Sequence, residues 1–359
     1  MRILHLVWAL AGGGAERQLA EIAPELAQRG HDVHVAFTVP GVYAARLAAS
    51  ACTLHQIAKS WKYDPLVLPR LVRLVRRVRP DVMHTWLTQM DIAGGLVSRL
   101  LRIPWVLSER SSASLYPPIL LNRARVAVGR HADLVAANSA GGGDYWKDHG
   151  VAAARIVVIP NFVPVREIES APPLDDPRIA EGDELVLYVG RLAPEKNLPR
   201  LIEAMAIVCR GRPRARLALC GDGILREALA AQVRAAALEE RVVFTGFVPN
   251  VPSWLKRANA LAAVSFTEGH PNAVLEAIAA GAPLVLSDIP AYRAVAGEDA
   301  ASFVPVGDAE AMAEAIAATL ADRDAALRRA ARARDVIAPL SLDATITRFE
   351  DAYRCLRSC

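Results

Sequence analysis

Phe266-Thr267-Glu268-Gly269-His270-Pro271-Asn272-Ala273-Val274-Leu275-Glu276 runs directly into Ala277-Ile278-Ala279-Ala280-Gly281-Ala282-Pro283. Leu261 to Phe266 reads as a short buried strand. Pro271 suits the first turn of a helix, where a missing N–H costs nothing. Gly281 and Pro283 end that helix. This reading puts Glu268 in the loop at the strand tip and Glu276 about two turns into the helix. Between the two acids lie the N–H groups around Asn272 and Ala273, expected to be free at a helix start. Those groups and the helix dipole attract an anion. Such a pocket, with carboxylates on both sides, suits a ligand that is part phosphate and part polyol.

Strand and helix alternate on either side of this stretch. In the C-terminal half, strands are expected at 185–189, 216–220, 242–245, 261–266, 284–286 and 302–304. Helices are expected near 198–209, 225–238, 251–257, 271–280 and 309–320. That pattern is a doubly wound domain, and its strand-end loops line one crevice. Arg191 and Lys196 lie five apart in one such loop, opened by Gly190. Arginine as a fork and lysine as a compact charge both suit a diphosphate.

In the N-terminal half, Ile3 to Val7 reads as a buried strand and Gly14 to Gln28 as a helix with Leu19, Ile22, Ala23 and Leu26 inward. With a strand at Val33 to Phe37 they make a βαβ unit. Gly12-Gly13-Gly14 is either a tight turn or a place where a ligand approaches the backbone. It lacks the G-x-G-x-x-G fingerprint, and no acid closes the second strand, which disfavours a dinucleotide enzyme. His84, near the carboxyl end of the strand at Pro80 to Trp86, is either a hydrogen-bonded sheet histidine or a group placed for chemistry. Ser108-Glu109-Arg110-Ser111-Ser112 follows the strand at Pro104 to Leu107. It reads as a donor-rich loop for phosphate or sugar, or as a salt-bridged loop. Tyr116 to Val128 is apolar and fits either a lipid tail or a packed helix. Asp64 to Arg79 is an amphipathic helix, with Leu68, Leu71, Val72 and Val75 inward and Arg70, Arg73, Arg76 and Arg77 outward. Its basic side suits solvent or an anionic membrane surface.

Taken together, these segments resemble the retaining GT-B glycosyltransferases of the GT4 type. The resemblance is carried by Glu268-x7-Glu276 with Gly281-x-Pro283, by Tyr188 to Asn197 as a basic diphosphate loop, by Ala11 to Glu16 as an N-terminal glycine loop, and by Val158-Ile159-Pro160-Asn161 between the halves. It covers essentially the whole chain. It implies an α/β architecture of two Rossmann-like doubly wound domains facing a central cleft. Residues 1–163 would form the acceptor-side domain, 164–340 the nucleotide-sugar domain, and 341–359 a C-terminal helix crossing back to the first. The resemblance also assigns roles. Glu276 binds ribose hydroxyls, and Glu268 faces the transferred sugar and acts with Arg191 and Lys196 in catalysis. Backbone around Asn272, Ala273 and Val274 holds phosphate, while Phe247 and Val248 flank the base. Gly13, Gly14, His84, Arg110, Gly223 and His270 complete the substrate-binding set. Many GT4-like chains carry a further His after the strand at Pro80 to Trp86; here Trp86, Gln89 and Asp91 stand there instead.

The implied reaction moves a hexosyl group from a nucleotide-diphosphate sugar to a glycan or polyprenyl-linked acceptor, in cell-surface polysaccharide or glycoconjugate synthesis. It proceeds with retention, without a metal or other cofactor. The alternatives are a GT-B-type sugar-nucleotide epimerase and a catalytically silent sugar-nucleotide-binding subunit. The presence of both glutamates and both cations favours the transferase.

Composition agrees with this class. A length of 359 residues accommodates two domains. With 53% hydrophobic and 22% charged residues, the chain has material for sizeable cores and is not a disordered one. A net charge of +4 permits contact with an anionic membrane without demanding it, and gives no footprint of a nucleic-acid binder. No run of about 18 apolar residues suggests a membrane span, and Gly12 to Gly14 interrupts the first apolar run too early for a signal peptide. The cysteines, Cys52, Cys209, Cys220, Cys355 and Cys359, are odd in number and scattered, which points to reduced cytosolic thiols. The expected location is therefore cytoplasmic, with peripheral contact at the inner face of the membrane. Asp322-Arg323-Asp324 matches the D-x-D pattern of metal-dependent transferases, but it lies between two Ala/Arg-rich helices, where a capping role is expected.

Overall fold

The computed structural model describes residues 1–61, 64–111 and 119–357. The chain divides into two compact units, Met1–Phe162 with Leu342–Cys359, and Val163–Ser341.

The first unit is built on seven parallel strands: β1 (Arg2–Ala9), β2 (Asp32–Val39), β3 (Thr53–Gln56), β4 (Val82–Trp86), β5 (Trp105–Glu109), β6 (Leu134–Ala137) and β7 (Ile156–Val158). Their order is β3-β2-β1-β4-β5-β6-β7. The helices between them are α1 (Gly14–Gln28), α2 (Ala44–Ala48), α3 (Val67–Val78), α4 (Thr88–Leu101), α5 (Leu120–Gly129) and α6 (Ala140–Asp148). Ile3, Leu4, Leu6 and Val7 of β1 are wholly inaccessible, as the central strand of a sheet covered on both faces must be. α1 has the expected bounds, and Leu19, Ile22, Ala23 and Leu26 form its buried stripe. β3 escapes the sequence reading because it is a four-residue edge strand with a single large apolar side chain, Leu54.

α3 begins three residues later than expected. Asp64 instead accepts the Ser60 and Leu66 N–H groups in the preceding turn, at 2.8 and 2.9 Å. Its buried stripe is Val67, Leu71, Leu74, Val75 and Val78. Leu68, expected inward, is exposed; it lies at the edge of the stripe in the first turn of the helix. Tyr116 to Pro118, at the start of the expected apolar stretch, lie outside the described residues, as does Cys359.

Two features tie the sheet to distant chain. Arg125 of α5 is buried between two acids. Its Nε donates to Asp91 Oδ2 at 2.7 Å and its Nη1 to Glu109 Oε2 at 2.9 Å. Glu109 also accepts from Trp146 Nε1, and Asp91 from Thr85 Oγ1, so charges taken out of water keep hydrogen-bond partners. The last helix, α15 (Leu342–Arg357), belongs to this unit: Ile346, Phe349 and Tyr353 enter its core, and Glu350 accepts from Arg29 and pairs with His31.

The second unit opens with α7 (Val165–Ser170) and holds six parallel strands: β8 (Glu184–Val189), β9 (Ala215–Cys220), β10 (Val242–Gly246), β11 (Ala260–Ala263), β12 (Leu284–Ser287) and β13 (Ser302–Val304). The order is β10-β9-β8-β11-β12-β13. Its remaining helices are α8 (Leu198–Gly211), α9 (Arg226–Ala235), α10 (Val251–Arg257), α11 (Asn272–Ala280), α12 (Pro290–Ala296), α13 (Ala309–Ala321) and α14 (Arg323–Ala331). Asp322 caps α14, its carboxylate accepting the Ala325 N–H at 2.9 Å. The D-x-D stretch thus has the local structural role its position suggests.

In each unit the strand order reverses beside the first strand, between β1 and β4 and between β8 and β11. That is where open parallel sheets bind ligands, at the carboxyl ends.

Candidate active site

In the second unit, the loops leaving β8 and β11 meet at this switch point. β11 is shorter than the expected strand. It ends at Ala263, and the Phe266 N–H donates to Glu195 O at 2.9 Å instead of joining a strand ladder. That bond ties the β11 loop to the β8 loop and leaves the Phe266 ring exposed. It also brings Glu268 to Lys196, with Nζ 2.6 Å from Oε1. Both side chains are largely buried, at 17% and 14% exposed, so solvent screens this pair less than a surface pair. Ser265 Oγ donates to the same Oε1 at 2.8 Å and Tyr292 OH at 3.2 Å.

Arg191, in contrast, reaches outward. Its side chain is 70% exposed and pairs with Glu195 Oε1 at 2.7 Å. Its backbone is fixed from below, where Tyr188 OH donates to Arg191 O at 2.7 Å. Burial, and then the Glu268 charge, hold the Tyr188 phenol well above its ordinary pKa, so it remains a donor.

The loop after β9 interlocks with this one. Leu192 N–H donates to Asp222 O and Leu225 N–H to Leu192 O, each at 3.0 Å. The approach is close enough to require glycine. A Cβ on Gly221, at φ +139°, would lie 2.0 Å from Gly190 O, and one on Gly223 2.4 Å from Leu192 O. Gly223 therefore works by letting two backbones meet. Phe247, just past β10, is exposed, and Val248 is partly buried against the core.

α11 starts at Asn272, with Pro271 as its cap residue, and ends at Gly281 in the left-handed conformation. Three details differ from expectation. Asn272 N–H donates to His270 O, and Val274 N–H to Pro271 O, both at 3.0 Å, so neither is free. The chain turns tightly before the helix and uses these donors itself. Among the described residues, only the Ala273 N–H of the three has no acceptor. Glu276 is the fifth helical residue, a little over one turn in and buried.

In the first unit, Gly13 is the cap residue of α1 and Gly14 its first residue. The Glu16 carboxylate folds back over Gly13, so closely that a Cβ there would meet Oε2 at 2.2 Å. Glu16 stands at the third helical position, where a capping-box acid turns back toward the helix start. Arg110 lies just past β5. It stacks on Trp86 at 4.3 Å and donates to Asn161 Oδ1 and Ser108 Oγ at 2.8 and 3.1 Å.

His84 requires correction as a substrate-binding residue. It is wholly inaccessible, and its two ring nitrogens lie 2.7 Å from Tyr353 OH and 2.6 Å from Ser108 Oγ. Burial, with the neighbouring His5 and Arg110, pushes its pKa well below the ordinary value. It is a neutral sheet histidine with no surface to offer a sugar.

The model of the family described as Glycosyltransferase Family 4 matches residues 12–167, and that described as Glycosyl transferases group 1 matches residues 174–336. The chain belongs to the GT4-type glycosyltransferases. Among curated relatives of this GT4-type chain, 2-deoxystreptamine N-acetyl-D-glucosaminyltransferase of Streptomyces fradiae is 28% identical over 96% of this chain and 91% of the relative. The lipopolysaccharide core biosynthesis glycosyltransferase LpsE of Rhizobium meliloti is 28% identical over 94% of each. A Campylobacter jejuni transferase, N-acetylgalactosamine-N,N'-diacetylbacillosaminyl-diphospho-undecaprenol 4-alpha-N-acetylgalactosaminyltransferase, is 26% identical over 79% of each. Anabaena HepE, solved in complex with UDP-glucose, superposes with a TM-score of 0.87 at 20% identity, covering 99% of this chain and 100% of HepE. It shares the GT-B fold.

Sequence reasoning about this GT4-type chain missed Ser265 and Tyr292, and placed Tyr188 in the diphosphate loop without its bond to Arg191 O. Tyr292 follows Pro290 at the start of a short helix after β12. Its signal was a tyrosine just beyond an expected strand-end loop.

Proposed function

We propose that this glycosyltransferase moves a sugar from a nucleotide-diphosphate donor to a glycan or polyprenyl-linked acceptor, with retention and without a metal. The observation that carries the reading is the Lys196–Glu268 pair at the switch point of the second unit. The bond from the anomeric carbon to the diphosphate breaks, and its electron pair goes to the departing oxygen. Lys196 and Arg191 stabilise the charge that builds there. The acceptor hydroxyl bonds to the anomeric carbon on the face the diphosphate leaves, and its proton passes to that diphosphate. Glu268 faces the sugar as positive charge develops, and Glu276 takes the ribose.

The expected result is that one nucleoside diphosphate raises the melting temperature in a panel of uridine, guanosine, adenosine and thymidine diphosphates. The matching sugar nucleotide then glycosylates an added acceptor, at an initial rate that excess EDTA leaves largely intact. Loss of activity restored by Mg²⁺ would overturn the leaving-group assignment. Acceptor-independent epimerisation, or binding without turnover, would point to an epimerase or a silent subunit.

The same reading places the acceptor near a membrane surface. Among the described residues, no helix is long and apolar enough to cross a membrane. α3 carries Arg73, Arg76 and Arg77 with no acid, while Arg70 pairs with Asp64, and Leu66 and Leu68 at the start of the helix are exposed. Basic side chains next to exposed apolar ones suit anionic headgroups. Flotation with vesicles containing phosphatidylglycerol should recover the protein at low salt and release it at high salt. Equal recovery with neutral vesicles would remove this part of the proposal.

A further inference from the structure

We infer that Tyr292 is a positioning residue that fixes which oxygen of Glu268 faces the sugar. The inference rests on the reading of Glu268 as the acid beside the donor sugar.

Three donors converge on one atom, Glu268 Oε1: Lys196 Nζ at 2.6 Å, Ser265 Oγ at 2.8 Å and Tyr292 OH at 3.2 Å. Among the described residues, Oε2 has no protein partner. One oxygen is therefore tethered and the other is left for a ligand. The three tethers differ in kind. Lys196 is also a cation proposed for the diphosphate, and a bound diphosphate competes with Glu268 for it. Ser265 and Tyr292 are neutral and carry no such second duty. Tyr292 OH lies 3.0 Å from Ser265 Oγ as well, so its single proton goes either to Oε1 directly or to Ser265, whose own hydroxyl donates to Oε1, and the three oxygens form a triangle. This triangle keeps Oε1 in place when Lys196 turns toward phosphate.

The phenol suits that task. The residue is 1% exposed and belongs to the same core cluster as Leu275, Leu286 and Ile289, so the hydroxyl is placed by the fold itself. Burial, and next the Glu268 charge, hold its pKa well above the ordinary value, which keeps its proton available to donate. A carboxylate held by one oxygen presents the other at a fixed angle to the developing cation. Interactions that strengthen only in the transition state raise kcat rather than affinity.

The test is a double-mutant cycle, because Tyr292→Phe removes the hydroxyl and keeps the ring. Tyr292→Phe should lower kcat for the intact donor by about 10-fold, the lower end of what a hydrogen bond to a charged group is worth. KM for the donor and Kd for the bare nucleoside diphosphate should stay within about 2-fold. In a Glu268→Gln background, Tyr292→Phe should cost little more, since both changes disable one carboxylate. If Tyr292→Phe keeps full turnover while Glu268→Gln loses it, the inference is overturned and the functional reading stands. An equal cost in both backgrounds also overturns it, because the phenol then acts through the fold alone. If Glu268→Gln keeps full turnover, the reading of Glu268 itself fails, and this inference with it. Should Tyr292→Phe melt early, Ser265→Ala carries the same cycle from the other corner of the triangle, with the same outcomes deciding.

Discussion

Lys196→Ala should lower kcat/KM for the nucleotide sugar by roughly 10²- to 10³-fold, the cost of removing one preorganised donor from a charge-developing site. Two losses coincide. The departing diphosphate loses a cation, and Glu268 loses the ammonium 2.6 Å from its Oε1. The carboxylate is then held by Ser265 and Tyr292 alone, in a site that is mostly out of water. Arg191→Ala should cost about as much activity for a simpler reason. Its side chain is mostly exposed and, among the described residues, pairs only with Glu195 at the surface, a bond worth little to stability. Its loss should therefore appear in turnover and hardly in the melting temperature. Steady-state kinetics with the intact donor, beside thermal melts of each variant, separate the effects. Wild-type turnover in Lys196→Ala would remove the assignment of this pair.

The two glutamates should fail differently. Glu276 sits in the second turn of α11, past the helix start. Glu276→Gln should weaken the bare nucleoside diphosphate by about 10- to 100-fold in Kd, because a hydrogen bond to a charged group is worth roughly 1.5–3 kcal/mol. Glu268→Gln should leave that Kd almost unchanged and lower kcat for the full donor, since its partner is the sugar and the contact strengthens as charge develops. Calorimetry with the bare nucleotide and kinetics with the full donor distinguish the cases. The reverse pattern would exchange the two roles, and silence from both would reduce the motif to a strand–helix junction.

Much of this fold was legible because its signals are local. Gly14 and Gln28 bound α1 as expected, since a glycine turn opens the helix and Gly30 follows its end. The placement of Lys196 and Glu268 in strand-end loops also followed from local cues. Their contact did not, because it depends on β11 pairing beside β8. His84 was misread for a related reason. A polar group near a strand's carboxyl end looks available until Tyr353, 269 residues away, covers it. The same holds for Tyr292, whose partners Ser265 and Glu268 are 27 and 24 residues distant. The N–H groups of Asn272 and Val274 were lost to a turn whose hydrogen bonds composition does not reveal.

Arg125 bears on how this chain can be recombined with its relatives. Its two acids come from α4 and β5, and the indole on Glu109 comes from α6. A chimera that takes one of these segments from a parent lacking the matching residue inherits a buried charge without its counterpart, which is costly. Crossover points are therefore best placed outside the block from Thr85 to Trp146, so that the whole cluster travels as one cassette.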